Sequence, residues 1–182
     1  MKISALGYYP NPLSADGQEA RMAREHLCRV VDAAVLLGLG NVNTFIGADP
    51  AQPMHVNFEQ FTKVWPELVQ YAQDRDIYLG IENCPMLFAE HNWPSGANLA
   101  RSPEIWRRMF QTIRSDHFGL NLAPSHRVGQ MIDTIEPIHE FREKIFHTHA
   151  KDTRIEHRLL QQRGILSLDW HTAKIPGLGE ID

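Results

Sequence analysis

Cysteine is scarce in this chain: Cys28 and Cys84 are the only two among 182 residues. One lies in a helical pattern and the other beside a candidate site, so no disulfide framework is suggested and a reducing, cytoplasmic setting is expected. Basic charge is also short. Against 22 Asp and Glu stand 18 Lys and Arg, a formal net charge of −4, which offers no general attraction for nucleic acid. Arg101, Arg107, Arg108 and Arg114 are interspersed on what reads as one helix, and a solvated face is the expectation. Long apolar runs are missing as well. Nothing approaches the ~18 residues of a membrane span, and the apolar run after Lys2 is too short for a signal peptide.

What is present is the composition of a globular domain, with 43% hydrophobic residues and a chain long enough for one sizeable core. Strand and helix patterns alternate from end to end. Strands are expected at 2–8, 41–47, 77–83, 118–122 and 145–149, each a short run rich in β-formers. Between them, 19–37 carries a stripe of Leu27, Val30, Val31, Ala34 and Leu37, closed by Gly38. A second helix is expected over 57–74, kinked or opened by Pro66. Ser102-Pro103 starts a third, to about 115, and Ile132, Ile135, Ile138 and Phe141 form the next stripe. A helical turn near 155–163 and a glycine-rich loop, Pro176 to Asp182, complete the pattern. Such alternation implies βαβ units and a parallel sheet, either doubly wound or part of a (β/α)8 barrel. A full barrel of that type takes ~250 residues.

Three strands end in polar clusters: Glu82-Asn83-Cys84, Asn121 to His126, and His147 to Asp152. Parallel strands deliver their C-terminal ends to one face, where α/β enzymes place chemistry. A carboxylate such as Glu82 emerging from a buried strand needs a cation, a metal or hydrogen bonds to compensate it. Glutamate and histidine are also ligands for divalent metals. Bland readings stand beside these. Glu82 also fits a structural ion pair, His126 a loop or cap residue, and Asn83 with Cys84 the turn before Pro85. His147 and His149 are expected on opposite faces of their strand, either one as a packing histidine. Lys151-Asp152 fits a surface ion pair, and the PGLG segment only weakly resembles a phosphate loop.

Taken together, IENCPM, NLAPSH and FHTHAKDT, with NVNTFIG before and PGLGEID after, resemble the sugar phosphate isomerase/epimerase family of xylose isomerase-like TIM barrels. The resemblance covers essentially the whole chain as a single domain, 1–182. It implies an α/β fold, a parallel (β/α) barrel of which this chain supplies about five units, similar to strands 3 to 7 of eight. It further implies a divalent metal (Mn, Mg, Co or Zn) with Glu82 and His149 among its ligands, and proton transfer next to a carbonyl with Glu82 as acid/base group. By the same resemblance, His126, Asn83 and Lys151 contact a sugar or sugar phosphate.

Two departures accompany the resemblance. Ala123 stands where the family has an aspartate ligand, and the strand bearing the last glutamate ligand is expected beyond Asp182, with two βα units expected before residue 2. A weakened or absent metal follows, together with an alternative role as an inactive barrel fragment that binds an assembly partner. Open sheet edges lead to the expectation of a homo-oligomer or a partner that covers them. A nuclease of the same barrel type would need more ligands and a basic face. Neither nucleic acid nor membrane is an expected partner.

Overall fold

The computed structural model describes residues 2–87, 96–167 and 169–181; the sequence pattern predicts a long loop over 85–101, of which residues 88–95, Trp93 among them, lie outside those described. Five parallel strands form one sheet in the order β1 (Leu6–Tyr8), β2 (Asn41–Thr44), β3 (Tyr78–Glu82), β4 (Phe118–Leu122) and β5 (Ile145–Thr148). β4 matches the sequence pattern end for end, and the other strands agree with it but are shorter, most of all the first. Helices α1 (Gly17–Leu36), α2 (Met54–Gln73) and α3 (Pro103–Thr112) connect them. The sheet order follows the chain order without a reversal, as in an arc of a barrel.

One side of the sheet is largely apolar. Val42, Leu79, Ile81, Phe118, Leu120 and Leu122 project into a core shared with Leu27, Val31, Phe61, Trp65 and Trp106 from the helices. Each large side chain so buried contributes about 1.5–3 kcal/mol. Phe118 lies between Phe61, Trp65 and Phe110, with ring centroids 6.2, 6.0 and 5.5 Å away. The Trp65 indole donates to the Ile46 carbonyl at 3.1 Å, so the buried N–H is satisfied. Asp16 caps α1 by accepting from the backbone N–H groups of Gln18 and Glu19. Helix α2 continues through Pro66 as one element.

The other side of the sheet is polar and tightly spaced. Asn43, Glu82 and Asn121 lie there, and a Cβ at Gly80 would approach Asn43 Oδ1 to 2.5 Å. Glycine is needed at that point because three strands bring side chains to one place.

Beyond β4 come a four-residue helix, α4 (Ser125–Val128), and α5 (Glu136–Phe141), with Pro137 in its first turn. The Ile132 stripe is therefore helical only in its second half. After β5 the chain forms an antiparallel hairpin that the sequence pattern does not suggest, β6 (Asp152–Ile155) and β7 (His171–Lys174), with α6 (His157–Arg163) between them. Thr153 ties β6 to α4 by donating to the Ser125 carbonyl at 3.3 Å. Among the described residues no helix is long and apolar enough to cross a membrane. Cys28 and Cys84 are both free.

Candidate active site

Glu82 ends β3 and is 4% exposed. Four side chains converge on its carboxylate from three other segments. Lys151, between β5 and β6, donates to Oε1 at 2.9 Å. His149 Nδ1 lies 3.3 Å from Oε2. Tyr9, just past β1, brings its hydroxyl close to the carboxylate and to Asn121. His126 Nε2, from α4, approaches Oε1 to 3.4 Å but is off line for a hydrogen bond, so this buried nitrogen has no partner.

Burial alone would raise the Glu82 pKa. The proximity of His126 and Lys151, with the Lys151 charge, more than reverses that and holds the carboxyl at about 2, so it is ionised at neutral pH. Tyr9 is shifted the other way, first by burial and then by the Glu82 charge. Cys84 is pushed up to about 11, mainly by burial, and is an inert thiol.

A hydrogen-bonded chain leads away from Glu82. Asn121 Nδ2 donates to His149 Nε2 at 3.1 Å, and Asn121 Oδ1 accepts from His147 Nδ1 at 3.2 Å. His147 Nε2 in turn meets the Ser4 hydroxyl at 3.0 Å. Asn121 Nδ2 also lies 3.4 Å from His149 Nδ1, the nitrogen that faces Glu82 Oε2 at 3.3 Å. Both imidazoles are therefore on the inner face. The expectation that they would split across the strand fails because residues two apart in a strand share a face.

The remaining sequence candidates divide. Asn83 is fully buried and is used as a clamp: its Oδ1 accepts from the Ala123 N–H at 2.7 Å and its Nδ2 donates to the Ala123 carbonyl at 3.0 Å. Asn98, which the sequence reading passed over, bridges two strand ends by accepting from Ile46 and Gly47 and donating to the carbonyls of Glu82 and Cys84. Lys151 and Asp152 are not a surface pair. Asp152 is 1% exposed, and its carboxylate accepts from the backbone N–H groups of Thr153, Gly177, Gly179 and Ile181 at 2.7–3.1 Å. Those bonds hold its pKa below the usual carboxylate range against the effect of burial. The glycine-rich loop does cradle an anion, but the anion is the chain's own Asp152. Tyr9 and Asn121 were likewise missed; an asparagine inside the apolar run FGLNL was the available signal.

Beside this cluster is a cavity of about 330 Å³ whose polar end is formed by His126, Lys151 and Gln130 and whose apolar wall includes Leu87, Ile165 and Trp170. The arrangement can bind an oxygen-rich ligand next to a buried carboxylate.

A protein-family model described as xylose isomerase-like TIM barrel matches residues 1–175, and the chain belongs to that family. No curated protein matches the sequence. Solved structures that it resembles include an IolI protein with a bound zinc atom (19% identity, TM-score 0.71, covering 99% of this chain and 58% of that one). An L-ribulose 3-epimerase (18%, TM-score 0.70, 98% and 54%) and the 3-keto-D-glucoside 4-epimerase YcjR from E. coli (10%, TM-score 0.68, 82% and 58%) are also similar. At these identities the likeness is one of fold. The chain spans about half the length of the structures it matches.

The residues present do not fit a family-type metal. The expected second ligand is the methyl group of Ala123, fully buried, with its backbone N–H and carbonyl both taken by Asn83. His149 has a partner at each ring nitrogen. Among the described residues no group of three His, Cys, Asp or Glu is arranged to hold a metal ion.

Proposed function

We propose that this protein acts on a sugar or sugar phosphate as an isomerase or epimerase, moving a proton at the carbon next to a carbonyl. The observation that carries this reading is the buried, ionised Glu82 at a strand's C-terminal end, with His126 and Lys151 joining it to the neighbouring cavity. The names of the similar structures, two of them sugar epimerases, support the substrate class. A cavity of about 330 Å³ suits a ligand of monosaccharide size.

In this reading Glu82 is the base. While Lys151 is hydrogen-bonded to it the carboxylate is weakly basic, and a substrate oxygen that draws the ammonium away restores its strength. The His126 ring lines the cavity beside Glu82 and contacts the substrate there. Tyr9 and His149 hold the carboxylate in position. One base on one face suffices to shift a proton between adjacent carbons, whereas inversion at a single carbon requires a second group on the opposite face.

The test is deuterium wash-in, followed by NMR, on a panel of ketopentoses, ketohexoses and their phosphates in D2O. Wild type is expected to exchange the proton next to the carbonyl of at least one sugar. Glu82→Gln should lower that rate by about 10²–10⁴-fold. No exchange by wild type on any member would favour the inactive-partner reading instead.

A further inference from the structure

The misfit of the metal site has a positive counterpart. At the point where a cation would balance Glu82, a cation is already present: the Lys151 ammonium, 2.9 Å from Oε1 and part of the cavity wall. Its side chain is 43% exposed, so N–H groups not committed to Glu82 face the space a ligand would occupy. A divalent ion placed there would meet this ammonium at close range, find no ligand at Ala123, and have to displace Asn121 from His149.

We propose that Lys151 is the resident cation of this centre and replaces a metal in polarising the substrate carbonyl. The inference rests on the proton-transfer reading above. In the step it describes, the C–H bond next to the carbonyl breaks and its proton passes to Glu82. The bonding pair forms a carbon–carbon double bond as the carbonyl π pair moves onto oxygen. The oxyanion accepts a hydrogen bond from Lys151, which keeps its proton. Return of the proton from Glu82 to the same carbon restores the original carbonyl; return to the adjacent carbon places the carbonyl on the neighbouring oxygen, whose hydroxyl proton passes to the oxyanion, and neither an oxidant nor a reductant is needed.

Lysine suits this role because its charge is compact and its three donors can serve two acceptors at once. Its backbone is fixed by its neighbour: Asp152 is held by four backbone N–H groups, so the residue before it cannot drift from Glu82.

The experiment is calorimetric titration of chelator-treated protein with Mn²⁺ and with Zn²⁺, alongside the exchange assay with and without chelator. Wild type should bind neither metal up to millimolar concentration, and its exchange rate should be unchanged by chelator. Lys151→Met should lose exchange by about 10²-fold or more. The double variant Lys151→Met, Ala123→Asp should gain measurable Mn²⁺ binding. Stoichiometric metal on wild type, or exchange that chelator abolishes and Mn²⁺ restores, would overturn the proposal while leaving the proton-transfer reading intact. If wild type exchanges no sugar under either condition, the proton-transfer reading fails and the catalytic role of Lys151 fails with it. The wild-type titrations do not depend on any variant folding.

Discussion

Replacing Glu82 by glutamine removes a charge from the centre with almost no change of shape. Glu82 has its pKa lowered from 4.5 to about 2 in the folded protein. At about 1.36 kcal/mol per pH unit, that difference corresponds to about 3 kcal/mol of stability when the group is ionised in both states. The principal partner, Lys151, is 43% exposed on its side chain, so solvent screening reduces the figure to about 2 kcal/mol. The sign is fixed by linkage. A carboxyl whose pKa is depressed by folding stabilises the native state above its unfolded pKa, and that contribution fades as pH falls toward the folded value. Urea denaturation of wild type and Glu82→Gln should therefore differ by about 2 kcal/mol at pH 7. The gap should stay constant down to about pH 4.5 and close by about pH 2. Taking the difference between the two proteins cancels the other acid-sensitive groups. Equal stability at pH 7, or a gap that persists unchanged at pH 2, would refute the claim that the Glu82 charge is held by its partners.

Three further outcomes can be checked. Asp152→Asn should weaken the anchoring of the 175–181 segment. Amide hydrogen exchange at Gly177, Gly179 and Ile181 should accelerate by about tenfold or more, with α2 unaffected. Because folding lowers the Asp152 pKa, wild type should show the same loosening as pH drops below the usual carboxylate range. Asn98→Ala leaves buried N–H groups and carbonyls at two strand ends without their partners. It should cost about 3 kcal/mol by urea denaturation, with secondary structure by circular dichroism retained.

The parallel strands were legible because burial on both faces writes itself as short apolar runs, and their polar ends are the segments that bring His126, His149 and Lys151 beside Glu82. The hairpin was not. Asp152–Ile155 and His171–Lys174 have neither an apolar run nor alternation, and their placement depends on backbone N–H groups closing around one carboxylate, a contact that composition does not encode. The same carboxylate explains why the glycine-rich loop could suggest a ligand site: glycines that let N–H groups converge look alike whether the anion is external or internal. The expected helix over 132–141 failed in its first half because Asp133 caps the chain by accepting from the Ile135 and Glu136 N–H groups, and Pro137 has no N–H to bond one turn back. Pro66 was accommodated instead, since packing of Phe61, Trp65, Leu68 and Val69 holds α2 on both sides of it.

Asn121 stands between the two imidazoles of the inner face, and an amide hands on the direction of a hydrogen bond but cannot hand on a proton. His147, whose pKa is lowered by burial and then by the nearby His149, can gain a proton on the nitrogen facing Ser4 without disturbing its bond to Asn121. Asn121 thus joins the two rings as a mechanical link. It fixes how they sit relative to each other, yet a proton taken up at the Ser4 end of the chain is not relayed through it to Glu82. The carboxylate is left to answer to whatever enters from the cavity.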